Sequence, residues 1–112
     1  MTPEQAKLLI EKELATARHA DAIGNIGMVR VCARRAAGTA ITLWLQRSQR
    51  TGWGIDAMSQ LRTLANETSV PQEVNDAAHR LIVKVTDQFA APSVPDPIKD
   101  AATIINHLLG QA

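Results

Sequence analysis

The sequence has few aromatic residues, a single cysteine and almost no net charge. Its 112 residues include one Phe, two Trp and no Tyr, which disfavours recognition of single-stranded nucleic acid by base stacking. Its one cysteine, Cys32, cannot form an internal disulfide, which favours a reducing compartment and a role as a small buried hydrophobe. Twelve Lys and Arg against eleven Asp and Glu give a net charge of +1, so any nucleic-acid binding would need a local basic patch.

A long hydrophobic run is also missing. The amino terminus, MTPEQAKLLIEKEL, is charged, and no segment has the roughly 20 consecutive apolar residues of a membrane span. We therefore expect a cytoplasmic protein with no membrane partner. A chain of 112 residues that is 46% hydrophobic can bury a core without disulfides, which predicts a single domain over residues 1–112.

No group of residues has the spacing of a catalytic or metal site. His19, His79 and His107 are scattered along the sequence, and no HExxH motif or second cysteine accompanies them. Phosphate-binding glycine loops, serine nucleophile motifs and usefully spaced carboxylate pairs are missing as well. The sequence therefore predicts that the protein is not an enzyme and has no catalytic residue, metal or cofactor.

Helix start signals recur along the chain. Thr2, Pro3 and Gln5 have the spacing of a capping box with a proline in the first turn. Asp96 and Pro97 start a last helix in the same way, after a proline-containing loop over residues 91–97. Between these ends the patterns predict a central helix, a turn at the sequence TGWG and a short third helix.

The fourth helix has the most regular apolar pattern, and Ser69 is its expected N-cap. The expected apolar positions of this helix are Val74, Ala77, Ala78, Leu81, Ile82, Val85 and Phe89. No strand-like alternation occurs. The sequence therefore predicts an all-α fold, a compact five-helix up-and-down bundle.

The central segment from Val29 to Leu45, VRVCARRAAGTAITLWL, is apolar or small almost all the way round. A helix with two apolar sides must be covered on both, by neighbouring helices or by another subunit. Its second apolar face consists of Val31, Gly38, Ile41 and Leu45. A narrow polar seam consists of Arg35, Thr39, Thr42 and Gln46.

Two charged residues interrupt apolar faces. Glu13 lies within the apolar stripe of the first helix, and Arg34 lies on the second apolar face of the central helix. Because buried ions need partners, we expect Glu13 to pair with Arg34, or failing that with Arg35 or Arg47, in a buried polar notch. Such a pair could be a structural salt bridge or a place where a ligand phosphate or a partner is held.

Arginines also form a candidate anion site. The cluster consists of Arg30, Arg34, Arg35 and Arg47 on the central helix. Guanidinium groups can hold phosphates through paired hydrogen bonds, so this cluster is the candidate nucleic-acid or phosphate site of the chain. A solvated helix face with local ion pairs is the simpler explanation.

The order of elements resembles the HEPN domain, a small all-α fold of prokaryotic toxin-antitoxin and defence systems that is often paired with minimal nucleotidyltransferases. The segments that carry the likeness are CARRAAGTAITLWL, SVPQEVNDAAHRLIVKV and DPIKDAATIINHLL. Ribonucleases of the family have an Arg followed four to six residues later by a His, and no arginine of this chain has a histidine at that spacing. Gln88–Pro92 stands where related proteins often have an Arg-Tyr-Pro stretch.

The resemblance therefore implies a catalytically inactive HEPN-like module. It also implies a homodimer, for which the second apolar face of the central helix is the physical candidate, and a possible partner such as a nucleotidyltransferase. Two functions remain open. The first is protein-protein association, with itself or as one half of a regulatory pair, and the alternative is binding of a nucleotide or RNA by the arginine cluster.

Overall fold

The computed structural model describes residues 1–83 and 96–110, which form α-helices joined by loops, without a strand. The helices are α1 (Pro3–Ala22), α2 (Ile26–Ser48), α3 (Ala57–Ala65), α4 (Gln72–Ile82) and α5 (Pro97–Leu109). The radius of gyration is 13.5 Å, close to the roughly 13 Å of a compact domain of about this size. The predictions of an all-α fold and of a compact bundle are confirmed.

The first helix begins as its sequence predicts. Thr2 Oγ1 accepts the backbone N–H of Gln5 at 3.1 Å, and the Gln5 side chain accepts the backbone N–H of Thr2 at 3.0 Å. Pro3 occupies the first helical position, where a backbone donor is not needed. Ala6, Ile10 and the small residues that follow on this face are buried against the rest of the bundle.

The central helix is α2, which packs against α1, α3 and α5 and also touches α4. It begins earlier than the predicted Val29, because Asn25 Oδ1 accepts the backbone N–H of Met28 at 3.1 Å and caps the first turn. Gln49 ends it in the left-handed conformation, at φ 55°. Its core positions include Cys32, Ala33, Ala36, Ala37, Ala40 and Ile41. The prediction that this helix is covered on two sides is confirmed.

Helices α2 and α3 approach each other closely at Gly38. A Cβ atom placed on Gly38 would lie 2.9 Å from the Cβ and 3.3 Å from the Cα of Ala57. Only glycine allows this separation, because any larger side chain would overlap the first turn of α3. The contact brings Gln60 of α3 beside α2.

The sequence TGWG lies in a loop between α2 and α3, as predicted, and its tryptophan folds back onto the bundle. Trp53 is buried, and its ring meets that of Trp44 edge-on with centroids 5.4 Å apart. The Arg50 guanidinium lies 4.6 Å from the centre of the Trp44 ring, and its Nη1 donates to Glu67 Oε2 at 2.9 Å. These contacts join the end of α2 to the loop before α4.

The start of α4 differs from the prediction. Pro71, at φ −62° and ψ 154°, is the N-cap, and no side chain caps the helix. The predicted cap, Ser69, instead donates its hydroxyl proton to Glu67 Oε2 at 2.5 Å. The reason is position: α4 begins at Gln72, so the cap position falls on Pro71, whose side chain has no hydrogen-bond acceptor, and Ser69 lies two residues before it.

The end of α4 also differs. Val83 has an extended backbone, at φ −72° and ψ 136°, so the helix ends at Ile82 and its predicted continuation through Val83 is wrong. The later positions of the predicted stripe, Val85 and Phe89, lie outside the described residues, as do the stretch Gln88–Pro92 and most of the predicted proline-containing loop.

The last helix begins where the sequence predicts, since Asp96 Oδ1 accepts the backbone N–H of Lys99 at 3.1 Å. Ile104 is fully buried in the core, whereas Ile105 is half-buried at its edge.

An ion pair joins α4 to α5. Arg80 donates from Nε at 3.1 Å and from Nη2 at 2.9 Å to the carboxylate of Asp100, which is almost fully buried. Hydrogen bonding to this carboxylate raises the pKa of Arg80, although burial acts in the opposite direction. The pair lets a carboxylate lie in the first turn of α5 without an unpaired charge in the core.

Candidate functional site

The arginine cluster predicted on α2 divides into two parts, and the first part is structural. The side chain of Arg30 is only 6% exposed, and its Nη2 donates to the backbone carbonyls of Arg80 and Leu81, both at 3.3 Å, and of Val83. Arg34, one turn later, donates from Nε to the carbonyl of Leu81 at 2.6 Å.

These carbonyls are the acceptors that the end of α4 leaves without helical donors, and the helix dipole adds negative potential there. Burial lowers the pKa of Arg30, and the neighbouring charge of Arg34 lowers it further. Arg30 and Arg34 are therefore held by hydrogen bonds to the end of α4, with Arg30 buried and Arg34 half-buried. The prediction that both belong to a surface phosphate site is wrong.

The second part of the cluster is exposed. Arg35 and Arg47 both face solvent, and neither forms an ion pair in the part of the chain that the structure describes. Of the four arginines in the predicted anion site, Arg35 and Arg47 therefore remain available to a ligand.

Glu13 does not pair with Arg34. The guanidinium of Arg34 is directed to α4, and the ion pairs among the described residues join Arg50 to Glu67 and Arg80 to Asp100. One carboxylate oxygen of Glu13, Oε2, is enclosed by protein and has no hydrogen-bond donor.

The thiol of Cys32 is next to this carboxylate. Burial raises the pKa of the Cys32 thiol, and both the charge of Glu13 and hydrogen bonding to its carboxylate raise it further. The expectation that Cys32 is a buried, unreactive hydrophobe agrees with its position in the core. A thiol is a weak donor and does not replace a charged partner for Glu13.

The ion pair predicted for Glu13 with Arg34, or with Arg35 or Arg47, is not formed among the described residues, but Glu13 and Arg35 line the same groove. A groove of about 300 Å³ lies between α1 and α2 where α3 begins, and both Glu13 and Arg35 line it. The other lining residues used below are Leu9, Thr39, Thr42, Ile55 and Gln60. We call this the α1–α2 groove. A second cavity of about 420 Å³ continues it past Thr42, Ile55 and Gln60 toward Arg50.

The polar floor of the groove is held in place. Gln60 is 3% exposed, and its Nε2 donates to Thr42 Oγ1 at 3.2 Å and to the carbonyl of Gly54 at 3.4 Å. Thr39 donates its hydroxyl proton to the carbonyl of Arg35 at 3.0 Å. These hydrogen bonds fix the polar side chains at the base of the groove, next to the Glu13 carboxylate.

The rim of the groove is apolar and open to solvent. Leu9 is 44% exposed, and Ile55, on the loop before α3, is 98% exposed. An isoleucine just before a helix N-cap commonly packs against the residue at the fourth helical position. Here that position is Gln60, a buried polar residue, so Ile55 has no apolar partner of this kind.

The dimer interface predicted on α2 does not form one exposed surface. Gly38 and Ile41 are fully covered by the protein's own helices, and Leu45 is half-buried against the core. Val31 alone of the four is exposed. The prediction is wrong for Gly38 and Ile41, because the close approach that Gly38 permits is made to α3 of the same chain.

Sequence reasoning missed Ile55, Thr42 and Gln60 as parts of a site. A signal for Ile55 was present, since it is a large apolar residue between a glycine and the N-cap Asp56, with a polar residue at the fourth helical position. The groove itself has no sequence signal, because it depends on how α1, α2 and α3 meet.

Among residues 1–83 and 96–110 no three His, Cys, Asp or Glu side chains lie close enough to hold a metal ion. In the same residues no helix is long and apolar enough to cross a membrane. No family model, curated protein or solved structure matches the chain.

Proposed function

We propose that the protein is a HEPN-like helical module for protein-protein association that has no catalytic role. It forms a homodimer and belongs to a regulatory or defence-type pair, whose second member is a protein such as a minimal nucleotidyltransferase. The HEPN-like part of the proposal is supported by the sequence segments that resemble the family and by a long central helix with neighbours on several sides.

The observation that carries the proposal is the exposed side of the α1–α2 hairpin. Met28 and Val31 on α2 are exposed large hydrophobic residues, and Arg35 follows them at helical spacing. Leu9 and Glu13 lie beside Arg35 across the groove. We call these five residues, together with Ile55, the hairpin face.

The hairpin face has the composition of an interface. It combines apolar side chains that gain about 25 cal/mol for each Å² removed from water with charged groups that can fix the orientation of a partner. Large apolar side chains that stay exposed beside charged groups are typical of surfaces that contact another protein. The hydrogen-bonded side chains of Thr42 and Gln60 form the base of this surface, and the exposed Ile55 projects beside them.

The test is the mass of the particle in solution, measured by light scattering after gel filtration over a range of concentrations. We expect the wild-type protein to have the mass of a dimer. Leu9→Lys should shift it to a monomer, because it places a charge on the hairpin face. Leu8→Lys is the matched control, since Leu8 is 67% exposed on the same helix and does not line the groove.

A monomeric wild-type protein at every concentration would contradict the homodimer. A dimer that is lost in Leu8→Lys and kept in Leu9→Lys would assign association to a different surface. Circular dichroism of each variant establishes that the helices are intact, so that a change of mass reports on association alone.

A further inference from the structure

The base of the α1–α2 groove contains a hydrogen-bond acceptor that the protein does not use. Gln60 is 3% exposed and lines the groove. Its Nε2 donates to the carbonyl of Gly54, which can only accept, so the orientation of the amide is fixed. Its Oε1 lies beside Gly38, accepts no hydrogen bond from the described residues and is not enclosed by protein. This oxygen is therefore open to a donor from a ligand.

A donor lies next to this acceptor. Thr42 Oγ1 accepts from Gln60 Nε2 at 3.2 Å, and its own hydroxyl proton goes to no acceptor in the described part of the chain. Thr39 differs, because its hydroxyl proton goes to the carbonyl of Arg35. Since polar groups away from water are usually paired, Gln60 and Thr42 together offer one acceptor and one donor to a small molecule.

Two opposite charges also border the groove. Glu13 on α1 and Arg35 on α2 both line it, and no ion pair among residues 1–83 and 96–110 joins them. Glu13 is half-buried and its carboxylate interacts with the thiol of Cys32, whereas Arg35 is exposed. An anion such as phosphate is attracted by one charge and repelled by the other, and so is a simple cation. A ligand that carries both charges is attracted by both.

The walls of the groove are apolar. Leu9 on α1 and Ile55 before α3 line the groove and are exposed large hydrophobic residues. The volume of about 300 Å³ lies at the lower end of the range for ligand pockets, which suits a small molecule. A ligand with an apolar group gains free energy when this group covers Leu9 and Ile55, because apolar surface is removed from water.

We propose that the α1–α2 groove binds a small zwitterion with an apolar side chain, which is the chemistry of a free aliphatic amino acid. Arg35 holds the ligand's carboxylate through paired hydrogen bonds, and Thr42 donates to the same group. Glu13 attracts the ligand's ammonium group, which donates to Gln60 Oε1. The apolar side chain covers the walls of the groove. The inference goes beyond the proposed function, since it assigns a ligand and does not require a homodimer.

Titration of the wild-type protein with L-leucine, followed by calorimetry at neutral pH, tests the proposal. We expect saturable binding of one leucine per chain with a Kd of about 1 mM or below. Isocaproate lacks the ammonium group and isoamylamine lacks the carboxylate, while both keep the apolar side chain. Each should bind about tenfold more weakly or worse, because each loses one of the two charged contacts. Glycine, which has no side chain, should also bind more weakly than leucine.

Two variants locate the site. Arg35→Gln should weaken leucine binding about tenfold and leave isoamylamine no weaker, because isoamylamine has no carboxylate for Arg35 to hold. Glu13→Gln should weaken leucine binding in the same way and leave isocaproate no weaker. A disturbance of the fold would instead weaken every ligand. The matched control is Arg47→Gln, since Arg47 is exposed on the same helix as Arg35 and does not line the groove. This control should bind leucine as the wild type does.

The absence of saturable leucine binding at about ten times the expected Kd overturns the proposal. Leucine binding that is the same in the wild type, Arg35→Gln and Glu13→Gln places the ligand elsewhere and overturns it as well. If Glu13→Gln does not fold, the comparison of leucine with isoamylamine in Arg35→Gln decides alone. The mass of the particle is a separate measurement. Leucine binding by a monomer removes only the homodimer, and a dimer that does not bind leucine removes only the ligand.

Discussion

Replacing Gly38 with alanine tests the close contact between α2 and α3. The new Cβ would lie 2.9 Å from the Cβ of Ala57 and 3.3 Å from its Cα. Carbon atoms in good contact are about 3.5–4.0 Å apart, so α3 must move away from α2 or the overlap must remain. The nearby Gln60 would be displaced with it, since its Oε1 lies 3.5 Å from the same position.

Two opposing effects set the size of the change. Overpacking of a well-packed site costs about 1–3 kcal/mol. Alanine is intrinsically better than glycine in a helix by about 0.8–1.0 kcal/mol, which offsets part of this cost. We therefore expect Gly38→Ala to lower the free energy of unfolding by about 1 kcal/mol, which for a domain near this size is a fall in Tm of roughly 4 °C.

Thermal and urea unfolding followed by circular dichroism measure this change. The matched control is Gly27→Ala in the first turn of α2, where the nearest atom to a new Cβ is Asn25 Oδ1 at 3.9 Å. The control should be unchanged or more stable by up to about 1 kcal/mol. Adding Ala57→Gly to Gly38→Ala should recover part of the packing loss. Equal stabilisation by Gly38→Ala and Gly27→Ala would refute the close approach of α2 to α3.

Three further predictions use other contacts of the structure. Arg30→Met should lower the free energy of unfolding by about 2 kcal/mol in urea titrations, because it leaves buried carbonyls at the end of α4 without donors, whereas Arg35→Met should have little effect on monomer stability. The pKa of Glu67 is lowered, chiefly by the hydrogen bond from Ser69, so its contribution is present above the ordinary pKa of Glu and is lost as pH falls through the lowered value. Glu67→Gln should therefore reduce the stability loss between pH 7 and acid, and an identical pH dependence of variant and wild type would contradict this. We expect no salt-dependent retention on an RNA column, and retention that disappears in the double variant Arg35→Ala and Arg47→Ala would favour the alternative function.

Local signals predicted most of the fold. The start of α1 depends on Thr2 and Gln5, and the start of α5 depends on Asp96, and in each case the capping side chain and the amide it binds are three residues apart. Such contacts form within one turn of helix, so both partners can be predicted from the local sequence. The fourth helix is the exception, because it begins two residues later than the capping pattern predicts, with Pro71 at the cap position and Ser69 bonded to Glu67.

The faces of α2 were harder to interpret. Hydrophobic periodicity shows that a helix face is apolar, but it does not show whether that face is covered by the same chain or by another. Gly38 and Ile41 have the pattern of a helix contact, and they do make one, but with other helices of the same chain. The α1–α2 groove depends on the angle at which three helices meet, and no local pattern encodes that angle. The seam through Arg35, Thr39 and Thr42 could be predicted as the least covered side, since polar residues recur there at helical spacing.

The arginines show how the same periodicity can separate structural from available charges. Arg30 precedes Ala33 and Ala37 at helical spacing, so its side chain leaves the helix on the face that enters the core. A guanidinium on such a face must find fixed acceptors within the protein, and the free carbonyls at the end of another helix provide them. Arg35 lies on the opposite, polar seam, where no acceptor of the same chain is required. Arg35 is therefore a charge of α2 that stays available to a partner, and it lines the same groove as Glu13.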